Sequence, residues 1–255
     1  MRLNEFLKDP FAILLLAVFV VNVVVYVILQ DNEDLTNVVS LTYCLVPALS
    51  SAVIFTVYSF YGKQSVEGKI WLYIFLGMLL WTIGEIMWVY YDLSGQDPFP
   101  SLADVIFIAA YIPIIYGVVS KARYTKVRKN KRNDSIILLI LASIIIPTIV
   151  YVGYPIITDN YYDLTSKVVS LLYPLLDVLL LAYALFIALY WGPTVSRGWY
   201  ILAAAMIFMT AADIGYAALE WREIWISYLD LLWVASYVLF GLGALYQKKY
   251  HESFM

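Results

Sequence analysis

Five carboxylate side chains interrupt long apolar stretches of the chain: Glu85, Asp104, Asp177, Asp213 and Asp230. An ionised carboxylate within a bilayer costs at least about 2.5–3.5 kcal/mol on insertion scales, so such residues face a protein interior or a wet cavity. Carboxyl groups in these places bind cations, relay protons or accept hydrogen bonds. We therefore expect the functional chemistry of the chain to involve these five residues.

Aromatic residues accompany these carboxylates at helical spacing. Trp81 and Trp88 stand four residues before and three after Glu85, and therefore share its helical face. Phenol and indole groups donate hydrogen bonds to carboxylates, and their rings attract organic cations. The sequence predicts a ligand site formed by the five carboxylates and by these aromatic residues: Trp81, Trp88, Tyr111, Tyr173, Tyr216, Trp233 and Tyr237.

Structural roles for the same carboxylates remain open alternatives. Asp104 and Asp230 lie near predicted helix starts, where an acidic residue favours the positive end of the helix dipole and accepts bonds from free amides. Glu85, Asp177 and Asp213 lie too far inside their helices for that role. They could instead be neutral carboxyl groups bonded to tyrosines across the bundle, as a polar network that serves structure alone.

The chain lacks the residues that several kinds of catalysis need. Cys44 is the single cysteine and His251 the single histidine, which excludes thiolate metal clusters, His-ligated haem and Ser-His-Asp catalysis. The chain contains no phosphate-binding glycine loop, and no lysine in the middle of its last three apolar segments that could hold retinal. We therefore predict no catalytic residue, no metal ligand and no cofactor.

The elements that carry these residues are apolar helices. The chain is 63% hydrophobic with a mean hydropathy of +0.81, which indicates an all-α polytopic membrane protein in contact with the lipid bilayer. Segments of about 20 apolar residues cross the hydrocarbon core as helices. Eight are predicted: 11–30, 39–61, 69–91, 101–120, 135–153, 165–190, 199–219 and 226–246.

The basic residues predict the orientation. Residues 121–132 form the most basic stretch, and every Lys and Arg except Lys167 and Arg222 falls on the same side of the predicted spans. The positive-inside rule then assigns that side, with both termini, to the cytoplasm. The basic stretch is a topology signal that also attracts anionic lipid, so no nucleic-acid partner is predicted. The first apolar segment lacks a cleavage site and is expected to stay as a helix of a multi-pass cell-membrane protein.

The chain also contains a collinear internal repeat. Matching positions lie about 126–130 residues apart. They include Tyr43 with Tyr173, Thr82-x-x-Glu85 with Thr210-x-x-Asp213, Asp104 with Asp230, and Tyr111 with Tyr237. Asp177 has no acidic counterpart, since Pro47 occupies that place. We predict a 4+4 parallel internal repeat, with a first repeat at 1–120, a basic cytoplasmic linker at 121–134 and a second repeat at 135–255. The two halves should be related by a pseudo-two-fold axis along the membrane normal.

Five short motifs in this order resemble a known family. They are Trp81-x-x-Gly84-Glu85-x-x-Trp88, Pro98-Phe99-Pro100-Ser101-Leu102-Ala103-Asp104-Val105-x-Phe107, Tyr173-Pro174-Leu175-Leu176-Asp177, Ala212-Asp213-x-x-Tyr216 and Leu229-Asp230-x-x-Trp233. Together they are similar to the membrane-embedded N-terminal sensory region of prokaryotic histidine kinases and diguanylate cyclases. The resemblance covers about 41–245 and implies a sensory input domain. The chain stops at Met255, so we expect a stand-alone relative, a truncated chain or a protein that signals through a cytoplasmic partner.

These observations lead to one functional hypothesis and two alternatives. The hypothesis is a membrane receptor-like domain that binds a small ligand, with cationic and amphiphilic compounds as candidates, in an outward-facing aromatic and acidic cavity between the repeats. The first alternative is a proton- or cation-coupled transporter or channel, because repeats of this kind and buried acids suit carriers. The second is an intramembrane enzyme that uses paired carboxylates, such as Asp177 and Asp213, or acids that hold a divalent metal.

Overall fold

The computed structural model describes residues 3–29, 36–124, 130–160, 163–191, 197–220, 222 and 227–253. Within them lie eight helices long and apolar enough to cross a membrane, as predicted, so the chain is an all-α, multi-pass membrane protein. We label them α1 to α8: Pro10–Leu29, Thr36–Tyr61, Val66–Leu93, Leu102–Tyr124, Lys131–Thr158, Leu164–Tyr190, Arg197–Glu220 and Asp230–Glu252. Residues 30 and 226 of the predicted spans, and 125–129 of the predicted linker, lie outside the described residues.

Polar side chains fix several helix starts. The Ser65 hydroxyl accepts a bond from the Gly68 N–H at 2.8 Å and so begins α3 three residues before the predicted span. Asp163 begins α6 by accepting bonds from the N–H groups of Thr165 and Ser166 and from the Ser166 hydroxyl. These bonds, that of the hydroxyl first, hold the pKa of Asp163 below its ordinary value because they favour the charged carboxylate.

Several helices extend past their predicted ends, and α4, α5 and α8 do so by four residues or more. Helix α5 widens into a π turn at Ile149–Gly153, shortly before Pro155, which has no N–H to donate, and then continues to Thr158. Helix α8 begins at Asp230 and runs to Glu252. Its polar last turn is held by ion pairs of Lys249 with Asp9 and Glu252, each at 3.0 Å. Hydrophobicity alone does not predict the polar extension of α8.

Six helices form a closed ring. Helices α2, α3, α4, α6, α7 and α8 contact one another in that order, and α8 returns to α2. Helix α1 packs outside the ring against α2 and α8, whereas α5 packs outside against α6 and, through its π turn, against α7. Most of the apolar surface of α5 is exposed, so this helix contacts the lipid bilayer over nearly its whole length.

Glycines allow the ring helices to approach closely. A Cβ atom at Gly117 of α4 would lie 3.0 Å from the Ile70 carbonyl oxygen of α3. One at Gly243 of α8 would lie 2.9 Å from the Gly198 carbonyl oxygen of α7. Small residues that bring backbones together are typical of helix crossings in membranes. The two tight crossings therefore join α3 to α4 and α7 to α8.

The two ends of the ring differ in charge. We call the end where α3 finishes and α4 begins the acidic end, and the end where α4 and α8 finish the basic end. At the basic end the buried Lys121 of α4 forms an ion pair with Glu67 of α3, and its ammonium lies 3.3 Å from the ring centroid of Trp191 of α6. The Tyr61 hydroxyl of α2 lies 2.5 Å from Nδ1 of His251 on α8.

A layer of apolar side chains separates these two ends. The rings of Trp71 on α3 and Trp199 on α7 lie 6.1 Å apart between their centroids, next to the basic end. Toward the acidic end come six more buried side chains around a common centre, which we call the apolar layer: Ile74, Ile114, Leu180, Leu202, Met206 and Phe240. Buried apolar side chains therefore occupy the interior of the ring between its two ends.

Candidate functional site

A cavity of about 400 Å³ opens at the acidic end, between helices of both predicted halves. This volume falls within the range of small-molecule sites in proteins. The structure brings eleven of the twelve predicted site residues around it: Trp81, Glu85, Trp88, Asp104, Tyr111, Tyr173, Asp213, Tyr216, Asp230, Trp233 and Tyr237. Their ligand-binding role stays a prediction. Asp177, expected on the same wall, lies instead behind Tyr111 and Asp213 and is fully buried.

Tyrosines from each half donate to carboxylates of the other at the cavity wall. The Tyr43 hydroxyl of α2 donates to Asp230 of α8 at 3.4 Å, and the Tyr173 hydroxyl of α6 donates to Asp104 of α4 at 2.9 Å. Since Tyr43 matches Tyr173 and Asp104 matches Asp230 in the predicted repeat, the two bonds occupy equivalent places. Tyr43 was not among the predicted site residues, although its match with Tyr173 was a signal that could have found it.

A third bond of this kind lies deeper in the cavity. The Tyr237 hydroxyl of α8 donates to Oε1 of Glu85 on α3 at 2.7 Å. The Trp81 ring packs against both Tyr111 and Tyr237, with centroid distances of 5.3 and 6.0 Å. These bonds agree with the alternative of a polar network between carboxyl groups and tyrosines across the bundle, and the partners come from distant parts of the sequence.

Asp177 and Asp213 meet below the cavity floor. The buried Tyr111 hydroxyl lies 2.6 Å from Oδ1 of Asp177 and 3.5 Å from Oδ2 of Asp213, and the two carboxyl groups are within hydrogen-bond reach of each other. Trp233 donates its indole N–H to Oδ1 of Asp213 at 2.6 Å. Oδ2 of Asp177 has no hydrogen-bond donor among the described residues. Two carboxyl groups in contact share a proton unless another positive charge lies beside them.

Asp104 and Asp230 both lie in the first turn of a helix, but the described structure bears out the capping alternative for Asp104 alone. Oδ2 of Asp104 accepts a bond from the Ser101 N–H at 2.7 Å, and its Oδ1 accepts the Tyr173 hydroxyl. Asp230 is the first residue of α8, whose start has no side-chain cap among the described residues, and Tyr43 donates a hydrogen bond to it. Asp104 therefore both caps a helix and forms part of the cavity wall.

Aromatic rings surround the cavity mouth. The Tyr216 ring contacts Trp88, Phe99 and Trp233 at centroid distances of 6.2, 5.7 and 5.8 Å. We call these four residues the aromatic mouth. Phe99 was missed as a site residue because it lies in the loop between α3 and α4, where helical spacing carries no information.

Acidic and aromatic residues make up most of the cavity lining. Besides the predicted carboxylates it includes Asp92, Asp97 and Glu220, and no Lys, Arg or His is found among its described residues. In the described part of the chain, no three His, Cys, Asp or Glu side chains converge to hold a metal ion. A negative site that lacks metal-binding geometry favours protons and organic cations over hard metal ions.

Comparisons of the chain with protein-family models, with curated proteins and with solved structures find no match. The description of the site therefore depends on its own geometry. It is an acidic, aromatic cavity at one end of an eight-helix membrane protein.

Proposed function

We propose that the protein is a membrane receptor-like sensory domain that binds a small ligand in the cavity between two halves. The observation that carries this proposal is the composition of the cavity wall, to which α2, α3 and α4 and also α6, α7 and α8 contribute carboxylates or aromatic rings. A ligand held by both sets of helices would favour one arrangement of them over another. Differential binding of that kind is the physical basis of ligand sensing.

Equivalent contacts in both sets of helices support the proposed 4+4 repeat. Tyr43 with Asp230 and Tyr173 with Asp104 form one equivalent pair of bonds. The contacts at Gly117 and Gly243 form another, because these two glycines also match in the repeat. The order of neighbours in the ring has the same regularity, since α2, α3 and α4 are followed by α6, α7 and α8. Two units related by a two-fold axis would produce this pattern.

The charge asymmetry supports an outward-facing cavity in the cell membrane. The basic end carries Lys121, Arg197, Lys248 and Lys249, and the positive-inside rule directs such an end to the cytoplasm. The cavity at the opposite, acidic end would then open to the outside.

Two rival functions receive less support from the geometry. A transporter needs a route to the other side, whereas the apolar layer and the Trp71–Trp199 contact occupy the interior of the ring below the cavity. A paired-carboxylate enzyme is favoured by the contact between Asp177 and Asp213. However, aspartyl catalysis needs both carboxyl groups open to substrate and water, and Asp177 is sealed behind Tyr111. Binding without turnover fits this arrangement best.

The proposed signal is a shift of one set of helices against the other. The contact of Lys121 with Trp191 and that of Tyr61 with His251 join the sets at the basic end, so a shift at the cavity would change them. This behaviour agrees with the resemblance to sensory regions of kinases and cyclases. A cytoplasmic partner would receive the signal there.

Ligand-dependent stability tests the proposal. Purified protein in lipid nanodiscs is unfolded thermally with a panel of small amphiphilic, cationic and neutral compounds, because a ligand that binds the folded state raises its stability. Glu85→Gln and Asp213→Asn should fold and should weaken the stabilisation by any compound that is found. Asp134→Asn, at the basic end, is the matched control and should not.

The rival functions are tested on the same preparation. Reconstituted vesicles should show no proton or cation flux above empty liposomes under an imposed gradient. A flux that Asp213→Asn abolishes would replace the receptor proposal with a transporter. A panel in which no compound stabilises the protein would contradict ligand binding.

A further inference from the structure

We infer that the cavity binds an organic ammonium cation, and that the cation takes the place of a proton shared by Asp177 and Asp213. This inference rests on the proposed ligand-binding function and specifies its ligand class. It also adds a consequence that simple binding does not have, which is the release of one proton for each cation bound.

Charge balance is the first step. No basic side chain is found among the described residues that line the cavity. Seven carboxyl side chains line it: Glu85, Asp92, Asp97, Asp104, Asp213, Glu220 and Asp230. Ionised carboxylates repel one another strongly where the dielectric constant is low. Protons or a bound cation must therefore offset part of this charge.

The contact of Asp177 with Asp213 locates one such proton. Oδ1 of Asp177 accepts the Tyr111 hydroxyl, while its fully buried Oδ2 has no donor among the described residues. A proton on Asp177 that is donated to Asp213 would satisfy both groups and leave the pair with a single negative charge. Asp213 lines the cavity and Asp177 does not, so the charge of the pair faces the cavity through Asp213.

None of the groups named here around the Asp177–Asp213 pair is a base that could take up the shared proton. Tyr111 approaches from α4, Tyr173 from α6 and Tyr237 from α8, while Glu85 faces Asp213 from α3. These neighbours are phenols or another acid, and the Trp233 indole that bonds Asp213 does not titrate. A positive charge for the pair must therefore come from a proton or from a ligand.

The residues around the cavity favour an organic cation over a metal ion. The aromatic mouth of Trp88, Phe99, Tyr216 and Trp233 lines the cavity with four rings, and aromatic rings attract ammonium groups. No described cluster of His, Cys, Asp and Glu side chains has the geometry for a metal ion. Asp213 lies next to this mouth through its bond with Trp233. An ammonium ion between the rings and Asp213 would therefore meet both kinds of partner.

Exchange follows from the same charge balance. When a cation lies against Asp213, its positive charge replaces that of the shared proton. The proton is released to the solvent, and both carboxyl groups become carboxylates. The charge of the occupied cavity stays the same. One proton released per cation makes the affinity rise tenfold per pH unit, equivalent to about 1.4 kcal/mol, wherever the empty site holds the proton.

Calorimetry on the full chain in nanodiscs tests this exchange. The probe is choline, and the control ligand is its uncharged analogue in which carbon replaces the quaternary nitrogen. Titrations in two buffers of different protonation enthalpy measure the protons released per choline. We expect about one proton from the wild type. Asp177→Asn should still bind choline but lack the proton released from the pair, and its affinity should rise less steeply with pH, because the amide donates permanently to Asp213. Glu85→Gln should bind more weakly but still release the proton.

The outcomes separate this inference from the proposed function. Choline binding without proton release, or release that is undiminished in Asp177→Asn, would overturn the exchange and leave ligand binding intact. Equal affinity for the uncharged analogue, or stabilisation by neutral compounds alone, would overturn the ammonium class. Failure of every compound in the nanodisc panel would contradict the proposed function itself.

Discussion

Removal of the Tyr111 hydroxyl provides a direct test of the buried network. This hydroxyl lies 2.6 Å from Oδ1 of Asp177 and is the donor that the structure gives that fully buried carboxyl group. In Tyr111→Phe the ring still packs against Trp81, but neither oxygen of Asp177 has a donor among the described residues. A buried acceptor left unsatisfied costs about 1–3 kcal/mol. Because Asp177 itself has no surface open to the cavity or to solvent, we expect a loss of about 2–3 kcal/mol of unfolding free energy.

Tyr116→Phe is the matched control for this experiment. It removes the same hydroxyl from the same helix, but Tyr116 is 56% exposed, and its ring contact with Tyr73 would remain. Surface changes of this kind are usually within about 0.5 kcal/mol of neutral. Both variants are unfolded by SDS titration in mixed micelles, with tryptophan fluorescence as the signal.

A double variant tests the cause of the loss. If the cost arises from the unsatisfied Asp177, then Tyr111→Phe combined with Asp177→Leu should lose less than the sum of the single variants, by at least about 1 kcal/mol. The reasoning is refuted if Tyr111→Phe is as neutral as Tyr116→Phe. Additive losses would refute the contact between Tyr111 and Asp177 as the cause.

Three further predictions concern the rest of the bundle. Gly243→Ala would bring a Cβ atom within 2.9 Å of the facing backbone and should destabilise by roughly 1–2 kcal/mol in SDS titration, whereas Gly153→Ala, with no neighbour closer than 3.7 Å, should be neutral or stabilise by up to about 1 kcal/mol. Lys121→Ala should cost about 2–3 kcal/mol in the same titration, because its carboxylate partner would lose its ion pair in a largely buried place. A cysteine at Asn160 should react with an impermeant maleimide on intact cells, while one at Asn130 should not; equal labelling would contradict the proposed orientation.

The helical framework could be predicted from the sequence because hydrophobic length is a local property. Eight apolar segments were sufficient to identify eight spanning helices. The ends were less predictable, since they depend on single contacts. The Ser65 cap lengthens α3, and the ion pair of Lys249 with Asp9 holds the polar end of α8. Such contacts between distant residues leave no hydrophobic signal.

The residues of the candidate site could be predicted from the sequence, but the hydrogen bonds between them could not. Carboxylates in apolar segments, with aromatic residues at helical spacing, indicated eleven of the residues that line the cavity. Helical spacing describes one helix at a time, so it could not show that Tyr237 reaches Glu85 or that Asp177 meets Asp213. Asp177 itself was expected on the cavity wall, but it lies one helical turn deeper than Tyr173 on the same face of α6, where Tyr111 covers it.

The exchange of tyrosine bonds between the sets of helices has a consequence for assembly during synthesis. Glu85 and Asp104 enter the membrane with α3 and α4, but their partners Tyr237 and Tyr173 belong to helices made later. Until α6 and α8 are inserted, these acids must stay protonated, hydrated or in contact with the insertion machinery, because the hydrocarbon core contains no hydrogen-bond partner for them. The insertion of α8, which closes the ring, therefore completes the set of hydrogen-bond partners that these acids need. Retention of the first four helices by the insertase should last until that moment.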